Sequence, residues 1–185
     1  MKTFKQFLHE ATLNKMIRNT RERDTAMVSR DRGSQSEKEK RSERKSLEKK
    51  LRRKGVGFSK VVGSYDEKGE GKPETEVSYQ LTRNPKKQSR KGFERMVKNI
   101  GKKKGPSGEA QHSVITQRKG KEAKLHPTSE KGDSFKIGKA KAGNNPDQSI
   151  GQTTAGKVRS GKKPSSKQTQ TKHKQNRAFH YSSDD

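Results

Sequence analysis

The chain has 185 residues, with 47 Lys or Arg against 21 Asp or Glu, and a formal net charge of +26. Hydrophobic residues make up only 22% and Trp is absent, so too little apolar surface is on hand to offset the entropy of ordering the whole length, and a core spanning it is not expected. The absence of Cys excludes disulfides, cysteine–zinc sites and thiol chemistry, and no apolar run approaches the ~20 residues that span a bilayer.

The first element in chain order is a short amphipathic helix over Met1 to Glu10. Thr3 is placed to cap it, with Gln6 three residues on as in a capping box, and Phe4, Phe7, Leu8 and Ala11 fall on one face. So short a helix is marginal alone and is expected to form on a partner. Residues 11–33 read as a basic linker or helix. Leu13, Met16 and Ile17 continue a helical face, and Ala26, Met27 and Val28 are a brief apolar patch.

From there the periodicity is clearer. Ser36 and Glu39 open a helix over 36–54, whose apolar stripe is only Leu47 and Leu51 and which Gly55 can terminate in a left-handed cap. A β-hairpin is expected over 56–82. Val56, Phe58, Val61, Val62 and Tyr65 form one arm, Val77, Tyr79 and Leu81 the other, with a turn from Asp66 to Pro73. A second helix over 85–100 is predicted with Asn84 as its cap, Pro85 at its first position, Phe93, Met96, Val97 and Ile100 as its stripe and Gly101 as its stop. Residues 112–117 and 122–126 read as further strands.

The expected architecture is therefore a small α+β domain over roughly 34–127, ordered helix-strand-strand-helix-strand-strand around an antiparallel sheet. A long disordered basic C-terminal tail over 128–185 follows, its pattern dissolving from about Asp133. Phe135, Ile137, Ile150, Val158, Phe179 and Tyr181 are too scattered there to be expected in one core.

The first eleven residues, Met1-Lys2-Thr3-Phe4-Lys5-Gln6-Phe7-Leu8-His9-Glu10-Ala11, carry the sharpest local signal. They resemble the capsid-targeting sequence of internal head proteins of T-even-type tailed bacteriophages, which begins Met-Lys-Thr-aromatic and ends in aliphatic-x-Glu before a small residue. The resemblance implies a cleavable propeptide over 1–10, with Leu8, Glu10 and Ala11 as the prohead-protease cleavage site. It further implies Phe4, Phe7 and Leu8 as the face that docks on the prohead scaffolding core. The location it implies is the capsid interior with the genome, after the host cytoplasm. Beyond these residues the resemblance does not extend.

Charge of one dominant sign points to a polyanion. Since the basic stretches lack the interleaved apolar face that inserts into lipid, the partner expected is a nucleic acid, DNA or RNA, held non-specifically through its phosphates, and not a membrane; the resemblance implies that it is the packaged DNA. The cations expected to make those contacts are Lys49, Lys50, Arg52, Arg53 and Lys54, the run Lys102, Lys103 and Lys104, and the pair Lys162 and Lys163. Aromatic residues do not interleave with these runs, so base stacking is poorly supported. His9, His112, His126, His173 and His180 are dispersed, and neither a catalytic site, a metal site nor a cofactor is expected. The function expected is that of a packaged internal head protein. The alternatives are an injected effector that binds or inhibits a host protein, and an unprocessed RNA- or DNA-binding accessory protein.

Overall fold

A computed structural model describes residues 4–32, 34–65, 74–106, 108–128, 132–143, 152–154 and 178–182. It is an α+β domain of three helices and one curled antiparallel sheet. The elements run α1 (Phe4–Glu22), β1 (Thr25–Ser29), α2 (Glu37–Arg53), β2 (Gly57–Tyr65), β3 (Glu74–Thr82), α3 (Arg90–Lys102), β4 (Ser113–Gln117), β5 (Ala123–Pro127), β6 (Phe135–Gly143), β7 (Gln152–Thr154) and β8 (Ala178–Ser182). The strands are ordered β1-β3-β2-β7-β8-β6-β5-β4, and β4 pairs with β1 to close the sheet into a barrel.

Alternation along the strands divides the apolar residues between two cores. On β1, Ala26 and Val28 join Leu47 and Leu51 of α2, Phe93, Val97 and Ile100 of α3, and Val77, Tyr79 and Leu81 of β3. Met27, between them, points the other way. It meets Leu13 and Met16 of α1, Val61 of β2, Ala123 of β5, Ile137 of β6, and Phe179 and Tyr181 of β8. The outer face is thus covered by α2 and α3, while the curled sheet turns its other face onto α1. Gln80 of β3, fully buried, donates to the Met16 carbonyl and accepts from Asn19, which fixes α1 against the sheet with its polar atoms satisfied.

Several expectations hold residue by residue. The α2 capping box forms, Ser36 accepting from the Glu39 amide and Glu39 accepting from the Ser36 amide. Gly55 follows the helix with φ +64°. The hairpin pairs from Gly57↔Thr82 to Tyr65↔Glu74, and its expected turn, 66–73, lies outside the described residues.

Other expectations are corrected. Asn84 does not cap α3. It closes the preceding turn, its side chain accepting from the Lys86 amide, and Ser89 is the cap, accepting from the Gly92 amide. Gly101 does not stop α3, which runs on to Lys102. Its role is close approach: a Cβ there would lie 2.6 Å from Val114 Cγ1. Of the two readings of residues 11–33, linker or helix, the helix holds as far as Glu22, and the rest is no linker, because it carries β1, a buried strand paired on both sides. The domain therefore starts well before residue 34. It also ends well after 127. The stretch expected as a tail supplies β6, β7 and β8, and Ile137, Phe179 and Tyr181 pack in one core, the two rings edge to face at 5.1 Å. Residues 144–151 and 155–177, with Ile150 and Val158, lie outside the described residues.

Candidate nucleic-acid interface

Two of the three lysine and arginine runs converge. The link is Arg30, at the end of β1. Its guanidinium pairs with Glu43 of α2 and donates to the Lys103 carbonyl at 2.7 Å, at the C-terminal end of α3. Buried at 3% side-chain exposure, it ties the middle of α2 to the C-terminal end of α3. Around it, Lys50 feels the charges of Lys54, Lys103, Arg30 and Arg53. Burial first, and then these like charges, pull its ammonium below the ordinary lysine range. Lys49, Arg53, Lys54, Lys102, Lys103 and Lys104 are exposed along this edge. Arg52 is exposed as well, but it is committed within the fold. It lies over the Phe58 ring at 5.4 Å and pairs with Glu48 at 3.4 Å. Lys162 and Lys163 lie outside the described residues.

A second basic surface is assembled from cations that form no long run in the sequence. A groove of about 940 Å³ opens between α3 and the outer side of β4, β5 and β6. Arg90 and Lys98 of α3, Arg118, Lys119 and Lys121 of the β4–β5 turn, Lys124 of β5, and Lys136 and Lys139 of β6 line it, against only Glu94 and Glu122. Eight cations facing two carboxylates leave the groove strongly positive. Both acids are already engaged, Glu94 with Arg118 at 3.4 Å and Glu122 with Lys136 at 2.7 Å.

Asp24 sets the frame of this groove. It lies in the short link between α1 and β1, buried, and its carboxylate accepts from Arg83 at 2.7 Å, from Arg90 at 3.2 Å and from the Lys119 amide at 3.0 Å. Burial alone would raise its carboxyl. The Lys119 amide and the guanidinium groups of Arg90 and Arg83 outweigh that and hold it below the ordinary carboxylate range. One carboxylate thus fixes the start of α3 and the β4–β5 turn, the two walls that carry most of the cations.

His126 forms the floor of the groove. Its ring nitrogens bond Thr116 Oγ1 at 2.8 Å and Ser134 Oγ at 2.5 Å. Burial, and next the charge of Lys98, hold the imidazole below its ordinary pKa, so it is neutral near pH 7. Phe135, 54% exposed, is registered with Leu125 and lies on the opposite face from Lys124 and Lys136. Among the described residues no Phe or Tyr lines the groove, and it is chemically suited to phosphates, not to stacked bases.

The tag residues are only partly described. Residues 1–3 lie outside the described residues, and so do the side chains of Phe4, Phe7, Leu8, Glu10 and Ala11. Their backbone from Phe4 is helical and continuous with the rest of α1. Among the described residues no group of His, Asp and Glu is placed to hold a metal ion, and no helix is long and apolar enough to cross a membrane.

Arg30 and the groove cations escaped the sequence reading for the same reason. They stand singly or in pairs among polar residues, and only the strand pairing of β4, β5 and β6 brings them together. A usable signal was present at Arg30-Asp31-Arg32, three charges separated from the apolar run Ala26 to Val28 by Ser29 alone. Charges that close to a buried strand must be paired or must serve a site. No protein-family model matches the chain, and neither a curated protein nor a solved structure matches it.

Proposed function

We propose that this chain is an internal head protein of T-even-type tailed phages, targeted to the prohead core by residues 1–10, cut after Glu10, and packaged with the genome. In that setting it holds DNA non-specifically by neutralising phosphates, along the α2–α3 edge and in the groove over β4–β6. The lysine-rich stretch between β7 and β8, with Lys162 and Lys163, adds further cations. The observation that carries the binding reading is the groove, where eight cations face two engaged carboxylates. The targeting reading rests on Met1 to Ala11. The position of the cut is compatible with it, since the bond after Glu10 precedes Leu13 and Met16, which anchor α1 in the core. The tag carries a net charge of only one, so cutting leaves the basic character intact.

Two measurements test this. Mass spectrometry of the protein from mature particles should find a chain starting at Ala11, and an intact Met1 there would sink the targeting reading. DNA titrations should show little sequence preference and a steep loss of affinity, about a thousandfold or more, from about 50 mM to about 200 mM salt. Replacing Lys98, Lys121 and Lys124 with Gln should lower the slope of log K against log salt by about 0.9 for each phosphate no longer neutralised. An unchanged slope would remove the groove from the interface.

A further inference from the structure

A second cluster of charges lies apart from the groove, where β1 runs out toward α2. Three arginines meet there, and a guanidinium grips an oxyanion best along the edge that carries Nε and Nη2, with two parallel N–H donors. Arg44 uses that edge on Asp31, Nε to Oδ1 at 2.6 Å and Nη2 to Oδ2. Arg30 uses it on Glu43, Nε to Oε2 at 2.9 Å and Nη2 to the same oxygen. Arg32 does not. Its Nη1 donates to the Asp31 carbonyl at 2.7 Å, while Nε and Nη2, both buried, have no hydrogen-bond partner among the described residues. The residue is only 6% exposed.

The acids around Arg32 are otherwise engaged. Asp31 is held by Arg44 and by the Val77 amide at 3.0 Å. Glu76 accepts from Ser78 Oγ at 2.9 Å, and Glu109 from Ser34 Oγ at 2.6 Å. Burial first, with the Asp31 charge adding to it, raises the Glu76 carboxyl above its ordinary range, which weakens it as a counter-charge. Beside Arg32 a further donor is idle. Gln35, also 6% exposed, accepts from the Arg32 amide through Oε1 at 2.9 Å, and its Nε2 has no partner among the described residues. A buried cation with a vacant bidentate edge is the arrangement that a bound oxyanion completes. Ser34 and Glu109 are exposed, and the charges of Glu76, Asp31 and Glu109 all reach Arg32.

We propose that the Nε–Nη2 edge of Arg32 is the seat of a small oxyanion, a carboxylate or a phosphate group, which this chain binds as a specific ligand. The site stands whether or not the groove binds DNA.

The test uses the full chain labelled with ¹⁵N and follows the arginine Nε–H resonances, titrated separately with inorganic phosphate and with acetate at constant ionic strength. The Arg32 resonance should shift to saturation with one of the two, which identifies the source of the oxyanion, while Arg30 and Arg44 hold their positions. In Arg32→Lys the one resonance that shifts to saturation should be missing from the spectrum, which assigns it to Arg32, while unmoved Arg30 and Arg44 signals report that the cluster still folds. A linear, unsaturated response of Arg32 to both probes would overturn the proposal. So would a Glu76→Gln variant in which the Arg32 resonance of the free protein moves strongly, because Glu76 would then already fill the edge in solution.

Discussion

The core beneath α2 and α3 and the core around α1 use opposite faces of the same sheet, yet they are gathered from very different stretches of chain. The outer one draws on residues from Ala26 to Val114, with α2, the β2–β3 hairpin and α3 following one another in sequence. The inner one joins Leu13 and Met16 to Phe179 and Tyr181, almost the full length apart. The difference teaches how a chain with few apolar residues closes a barrel. It concentrates them in short, widely separated strands, and each contributes one or two side chains to a core that no single segment foreshadows.

The strongest way to break that comparison is to cut into each core separately. Phe179→Ala should cost about 3–5 kcal/mol and Leu51→Ala about 2–5 kcal/mol. Both should unfold in a single transition, seen alike by helix and tyrosine signals, because β1 contributes to both cores. A Phe179→Ala protein that keeps its full stability would detach β8 from the fold, and two separate transitions would divide the barrel. A smaller effect is expected at Asp24, which joins α1–β1 to the groove. Asp24→Asn should cost about 3 kcal/mol, since Arg83 and Arg90 lose their shared buried counter-charge. It should also weaken DNA binding through the displaced walls. Loss of stability with unaltered DNA affinity would mean that the groove does not depend on this anchor.

The smallest effect concerns pH. His126 has a lowered pKa in the fold, so the unfolded chain takes up its proton first as pH falls. Its contribution is therefore complete above its ordinary value of 6.5 and is lost as the pH drops below it. His126→Gln should flatten the fall in stability between about pH 7 and about pH 5, measured by denaturant titration. An equally steep fall in the variant would assign that proton uptake elsewhere.

Legibility in the sequence follows the same division. The α2 cap, its Leu47 and Leu51 stripe, the Gly55 terminus and the two arms of the hairpin are all local patterns, and each was readable from a window of a few residues. By contrast, β1 was not, because an apolar Ala-Met-Val patch flanked by charges gives no alternation when both of its faces are covered. Strands β6 and β8 escaped for a related reason. Gly and Lys dominate around Ile137, and nothing near Phe179 or Tyr181 shows that their partners lie on α1. Of the interface, the lysine runs were legible as runs. That Lys50 and Lys103 come within reach of each other's charge was not, since the tie is one buried Arg30 reaching the last turn of α3.

The placement of α1 has a consequence for how the molecule is made. The helix α1 shares its core with β8, which leaves the ribosome after every other described strand. Contacts of such long sequence separation form slowly. While β8 is still missing, the free side of β6 has no strand to pair with, and α1 has no rings from Phe179 and Tyr181 to cover its Leu13 and Met16. An open strand edge beside uncovered apolar side chains invites association with other chains. In a protein this basic, mutual repulsion between nascent copies works against that association, so the charge proposed above to hold a polyanion also shields the unfinished molecule from its own kind.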